Sequence, residues 1–323
     1  VRFNTMYENS GTFRQNGDME RYGFNPTATF KISKDTKLEA GYEHLRDVRF
    51  NDRGLPSKGD DVAKINERHF VGNPDENGAE TRSDAVYAIL NHSLDEDTKI
   101  RFLSRYHNQY KFYHNVYAST AVDAAGNFKL AAYNSRQKRE SFTNQLDFTK
   151  KFEAFGVKHN SVIGTEITRQ ESDSFRNTGF FNNATTSTTL SIFNPISHVP
   201  VTYRQSSTDN DYNSIVNVAA LYVQDQIELN KNWQLVAGVR YDSFEIDALN
   251  NRTNVTFNRQ DDLISPRAGV IFKPQDNISL YTSYSTTYLP AAGDQFSTLT
   301  SQTMLLKPEK MENYEIGSKW EVN

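Results

Sequence analysis

Apolar and polar residues alternate with a period of two through a series of segments, and the links between these segments are short and long in rotation. The alternation predicts twelve strands, near residues 1–9, 21–33, 37–47, 80–93, 98–112, 139–152, 158–171, 213–229, 233–247, 262–273, 277–290 and 309–322. Short polar links fall at 34–36, 95–97, 153–157, 230–232 and 274–277, while long polar stretches spotted with aromatics fall at 10–20, 47–79, 113–138, 172–212, 248–261 and 290–307. About 12 residues at roughly 3.3 Å each, tilted near 45°, rise about 28 Å, close to the thickness of a hydrocarbon layer. Strands of this length joined by two unlike sets of turns are the signature of a transmembrane β-barrel, with tight turns on the periplasmic rim and long loops outside the cell.

The alternation also assigns faces. Ile278, Leu280, Thr282, Tyr284, Thr286 and Tyr288 share one parity and are expected toward lipid, as are Trp233, Leu235, Ala237, Val239 and Tyr241. Arg240 and Asp242 then point into the lumen. Lys99, Arg101, Arg105 and His107 share a face opposite Ile100, Phe102, Tyr106 and Tyr110. An Arg or Lys facing lipid near the midplane costs about 2–4 kcal/mol, so this cationic face is also read as inward. Around residues 84–91 and 160–167 both parities are apolar, and no face follows from the pattern. Pro26 and Pro266 interrupt two strands and read as β-bulges, since proline removes a ladder donor.

The 323 residues contain no cysteine, are 24% charged and carry a formal net charge of −4. The mean hydropathy of −0.71 would fit a soluble chain, but in a barrel only alternate residues meet lipid, so a low average is compatible with full embedding. No run approaches the roughly 18 apolar residues of a spanning helix. With acidic residues outnumbering basic ones and no basic block, nucleic acid is not an expected partner. There is neither an initiator methionine nor a signal peptide, and the chain is expected to be one partial domain over residues 1–323.

Five passages in order resemble the TonB-dependent siderophore receptors. They are Ser10-Gly11-Thr12-Phe13-Arg14 with Arg21-Tyr22-Gly23-Phe24-Asn25-Pro26; Leu221-Tyr222-Val223-Gln224-Asp225-Gln226; Gly238-Val239-Arg240-Tyr241-Asp242; Ser265-Pro266-Arg267-Ala268-Gly269-Val270; and Lys307-Pro308-Glu309 with Tyr314-Glu315-Ile316-Gly317-Ser318-Lys319-Trp320. Residues 133–144 and 158–171 are similar to receptors for catecholate siderophores. The resemblance implies an all-β fold: an antiparallel transmembrane barrel wall, twelve strands of a plugged barrel of about 22. It implies a monomer in the bacterial outer membrane, in contact with lipid, that takes up an iron(III)–siderophore chelate and holds no covalent cofactor. Energy would come from the periplasmic coupling protein TonB through a plug that this sequence lacks.

A ferric catecholate is anionic with planar rings, so aromatic faces and guanidinium donors would hold it. The loop candidates are Phe50, Arg53, Phe112, Tyr113, His114, Tyr117, Tyr133, Arg136, Phe180, Phe181, Phe193, Tyr203, Arg204, Tyr288 and Phe296. The competing reading is that these rings pack loops or anchor the outer leaflet. Lys99, Arg101, Arg105, Arg240, Asp242 and Arg267 are expected to line the lumen. None of the seven histidines has metal-site spacing, and the adjacent pairs Asp60-Asp61 and Asp261-Asp262 fall short of a calcium site. No nucleophile elbow or phosphate loop is present, so an enzyme is not expected. A passive porin remains an alternative, which would show an inward-folded loop with opposed charges. An outer-membrane hydrolase is a further one, requiring a catalytic constellation.

Overall fold

The computed structural model describes residues 1–292 and 297–322. Its strands are β1 (Arg2–Gly11), β2 (Asp18–Lys31), β3 (Thr36–Phe50), the two-residue β4 (Ser57–Lys58) and β5 (Asp61–Val62), β6 (Gly78–Ser93), β7 (Thr98–Ala118), β8 (Asn127–Ala154), β9 (Val157–Phe181), β10 (Ser187–Ser191), β11 (Val201–Arg204), β12 (Asp211–Glu228), β13 (Trp233–Asn250), β14 (Val255–Gln275), β15 (Ile278–Leu289) and β16 (Glu309–Trp320). One antiparallel sheet runs β1-β2-β3-β6-β7-β8-β9-β12-β13-β14-β15-β16, with β10 added to β8 and β11 to β9. The twelve expected strands are the twelve of this path, each paired with its successor as the short-turn, long-loop rotation requires.

Directly paired residues share a face, so the register carries the side read for one strand to all the others. Arg101 pairs with Asp147, Asp147 with Gly164, Gly164 with Tyr222, and Tyr222 with Arg240. This inward row is tied together: Arg101 lies 3.3 Å from Asp147, Tyr222 donates to Asp147, and Arg240 sits 5.5 Å over the Tyr222 ring. Lys99, Arg101, Arg105, Arg240, Asp242 and Arg267 all fall on one face of the sheet, the face read as the lumen. The two ambiguous segments resolve the same way. Val86, Ile163 and Ile167 are more than half exposed on the outward face, whereas Tyr87 and Gly164 lie inward.

Three inward tyrosines lie over glycines in neighbouring strands, an arrangement the alternation does not reveal. A Cβ at Gly41, Gly164 or Gly317 would fall 2.3–2.5 Å from the ring atoms of Tyr87, Tyr222 or Tyr281. The ring covers backbone that glycine leaves bare. On the outward face, Trp233 and Phe272 pack at 4.5 Å near the short-turn rim, and Tyr241, eight residues along β13, donates to Asp262 at 2.7 Å. Eight residues span about 27 Å along a strand, or about 20 Å along the normal at a 45° tilt, which suits an apolar band of about 25 Å. One outward carboxylate, Asp225, is satisfied locally by His159 (2.7 Å) and Ser161 (2.8 Å).

The structure corrects the sequence reading at several points. β7, β8 and β9 run 21, 28 and 25 residues, far beyond the membrane, so most of the stretch read as a loop at 113–138 is strand and the connection shrinks to 119–126. Both faces of these extensions meet water or other loops, so no lipid-imposed alternation marks them. Pro26 and Pro266 are not bulges. The β2–β3 register is the same at Phe24↔His44 and Thr27↔Gly41, and Val239↔Pro266 sits in an unbroken β13–β14 ladder. The shift in this region lies instead between Phe272 and Gln275, beside the turn.

Candidate functional site

The extended parts of β7, β8 and β9 carry different residues on their two faces. Outward, Val116, Phe128, Leu130, Ala132 and Phe181 form a buried apolar cluster with Ala63, Val71, Val122 and Ile192, and Leu55, Ile65, Val201 and Tyr203 pack against it. The β3–β6 connection therefore folds down as a cover.

Six sequence candidates belong to this packing rather than to an open surface. Phe50 meets Phe70 edge-on at 4.7 Å, and Phe112 stacks on His114 at 5.8 Å. His114 lies 3.3 Å from Glu76 and edge-on to Tyr203. Arg136 spans Asp173 (2.6 Å) and the Phe175 ring (4.2 Å), and Phe181 is 2% exposed. Burial, with Glu76 alongside, pushes the Tyr203 phenol far above its usual range, as befits a packed ring. Tyr288, paired with Lys310, is on the outward face of β15. Phe193 is exposed beside Gly126, and Phe296 lies outside the described residues.

The inward face gathers the remaining candidates. Tyr133 meets Tyr113 and Tyr117 edge-on, each at 5.7 Å. Arg53, from the β3–β6 connection, reaches over Tyr117 (5.6 Å) and Tyr133 (5.9 Å), and Arg176 lies 3.9 Å from the Tyr133 centroid. Two residues further on, on the same face of β9, pairing brings Thr178 opposite Arg204, whose guanidinium sits 3.6 Å over Phe180. Lys111 lies 5.6 Å from the Tyr113 ring. Sequence reasoning missed Arg176 and Lys111. The signal was available, since period-two counting from Tyr133 and Tyr113 reaches them through the strand pairing once β7–β9 are known to continue.

The inward positions in the upper parts of β6 to β9 include Lys111, Arg139 and Arg176, and no Asp or Glu. Such a surface attracts anions with flat, polarisable faces. It offers no redox group, and no cluster of metal-ligating side chains occurs among the described residues. The histidines are engaged elsewhere: His44 with Asp84, His92 with Thr36, His107 with Ser83 and His159 with Asp225.

On the inner face of β12–β14, Tyr212, Val216, Phe244, Ile246 and Ala248 pack with Ala292 and Leu299 of the β15–β16 connection. Arg259, paired with Asp261, donates to the carbonyls of Thr303 and Met304 at 3.1 and 3.2 Å. This connection folds inward, as a porin's constriction would.

Residues 23–323 match the family described as TonB dependent receptor-like, beta-barrel. The probable TonB-dependent siderophore receptor PiuA of Acinetobacter baumannii is 25% identical over 98% of this chain and 47% of its own length. The metal-pseudopaline receptor CntO of Pseudomonas aeruginosa is 26% identical over 98% of this chain and 44% of its own. Among solved structures, PiuA matches with a TM-score of 0.87 at 21% identity, covering 99% of this chain and 50% of that one. The closed form of the ferric-catecholate import receptor Fiu of Escherichia coli matches at 0.83 and 20% identity, covering 99% and 51%. The chain spans about half the length of the curated relatives it matches, and those relatives are receptors rather than enzymes. A long-stranded antiparallel wall, apolar outside and cationic within, matched to the family over residues 23–323, places this chain in the TonB-dependent receptor β-barrel family of the bacterial outer membrane.

Proposed function

We propose that this wall belongs to a receptor that captures an iron(III)–siderophore chelate of the catecholate class on its inward extracellular face. The carrying observation is the cluster of Tyr113, Tyr117 and Tyr133 with Arg53 and Arg176, extended by Phe180 and Arg204. A tricatecholate presents anionic oxygens to guanidinium donors and ring faces to tyrosine edges, so both residue types act at once. The name of Fiu, a ferric-catecholate import receptor, agrees with this substrate class, and that of PiuA with a siderophore more generally. In the complete receptor the wall would close as a barrel of about 22 strands around a plug, and uptake would draw energy from TonB through that plug. Lys99, Arg101, Arg105, Arg240, Asp242 and Arg267 would line the space between wall and plug.

The test is equilibrium binding of ferric tricatecholates and ferric hydroxamates to the receptor in native outer membranes. Tighter binding of the catecholates is expected. Replacing Arg176 by Ala should weaken it roughly 10- to 100-fold, as loss of a charge-assisted hydrogen bond of about 1.5–3 kcal/mol implies. If no iron chelate binds while another nutrient does, the reading is wrong.

A further inference from the structure

The edge of β9 changes partner between Phe175 and Thr178. β12 pairs up to Phe175, through Asp211, and β11 takes over at Thr178, through Arg204. The residues between the two strands, 205–210, cross this gap, and Asp209 fills it. The Asp209 carboxylate accepts the Thr178 amide (2.8 Å), the Thr178 hydroxyl (2.8 Å) and the Ser206 amide (2.8 Å), and lies 3.8 Å from Arg176 Nε. Its side chain is 5% exposed. The backbone is pinned as well: the Arg176 amide donates to the Asn210 carbonyl at 2.9 Å, and the Arg252 guanidinium, from the β13–β14 turn, donates to the Asp209 carbonyl. A buried carboxylate is tolerated only when donors and a cation compensate it, and here Thr178 and Arg176 of β9, with the Ser206 amide, do so.

We infer that Asp209 is a positioning residue: it holds Arg176 over Tyr133, and so sets the geometry of the inward aromatic–guanidinium cluster. This rests on the ligand-binding role proposed for that cluster. A free arginine loses about 2 kcal/mol of rotamer entropy when a ligand orders it, and an arginine already held in place loses less. Burial by itself would raise the carboxyl's titration. The hydrogen bonds from Ser206 and Thr178 outweigh it and hold the group below the usual carboxylate range, so it stays charged while it holds Arg176.

The experiment measures binding of a ferric tricatecholate to the receptor in native outer membranes, with heat-modifiable gel mobility as the check of folding. Asp209→Asn should weaken binding about tenfold, and so should Thr178→Val, which removes a clamp donor without changing charge. In an Arg176→Ala background neither substitution should weaken binding further, because the residue they position is gone. Losses that multiply in that background would show a general structural role and overturn the inference. Unchanged or tighter binding by Asp209→Asn would overturn it too, since the carboxylate would then merely compete with the ligand for Arg176. If Asp209→Asn does not fold, Thr178→Val decides by the same criteria. A native receptor that binds no anionic chelate refutes the ligand reading, whereas normal binding by a folded Asp209→Asn refutes only the positioning role.

Discussion

Phe102 and Leu103 are consecutive residues of β7 that face opposite solvents, so one substitution made at each position tests the whole face assignment. Phe102 pairs with Leu90 and Leu146 on the outward side, and it is 39% exposed. Leu103 pairs with Ile89 and Gln145 on the inward side, between Arg101 and Arg105. Phe102 lies about five residues above the 94–97 turn, which at about 3.3 Å each and a 45° tilt places it about 12 Å up, near the middle of an apolar band of about 25 Å. Arginine there should cost about 2–4 kcal/mol, roughly a 30- to 700-fold shift in the folding equilibrium. Its paired neighbours offer no carboxylate to offset the charge. At Leu103 the guanidinium enters a wet, polar surface, and repulsion from Arg101 and Arg105 is screened to under about 1 kcal/mol. The assay is urea titration of the receptor in lipid vesicles, read by gel mobility. Equal losses for Phe102→Arg and Leu103→Arg, or a larger loss at Leu103, would refute the assignment.

Gly164→Ala should displace the Tyr222 ring from its bonds with Asp147 and Gln145 and destabilise the wall by about 1–3 kcal/mol in the same titration, with Tyr222→Ser restoring much of it. Arg136→Ala should leave chelate binding within about twofold, because Arg136 packs outward on Phe175 while the ligand cluster faces inward; a larger loss would return Arg136 to the site. Asp209 titrates below its unfolded value of about 3.9, so its stabilising effect is complete above that pH and is lost as the pH falls through the lower folded value. Pepsin cleavage at Tyr203 or Tyr212, on either side of residues 205–210, should accordingly rise below about pH 4, and Asp209→Asn should already be cleaved quickly at the upper end of pepsin's range.

The rotation of short and long links made strand order legible, because antiparallel neighbours joined by tight turns have few other ways to pair. Lys99, Arg101 and Arg105 share a face with Arg240, the grouping that the alternation predicts. The candidate site was only half legible. Tyr113, Tyr117, Tyr133 and Arg53 came together, but Phe50, Phe112, His114, Arg136, Phe181 and Tyr203 lie on the other face of the same extensions. Above the membrane both faces are wetted or covered by loops, so composition no longer reports direction.

The sequence by itself determined the long-stranded wall: its strands, their order and the grouping of most residues onto two faces follow from burying one residue in two in a solvent that rejects charge. Tertiary structure decided how far β7–β9 rise beyond the membrane and which aromatics they turn inward. It also decided that Asp209, more than thirty residues from Arg176 along the chain, holds that arginine in place. These outcomes depend on pairing register and on loops packing against strands. Register is a relation between distant segments, and no local alternation encodes it once lipid is absent.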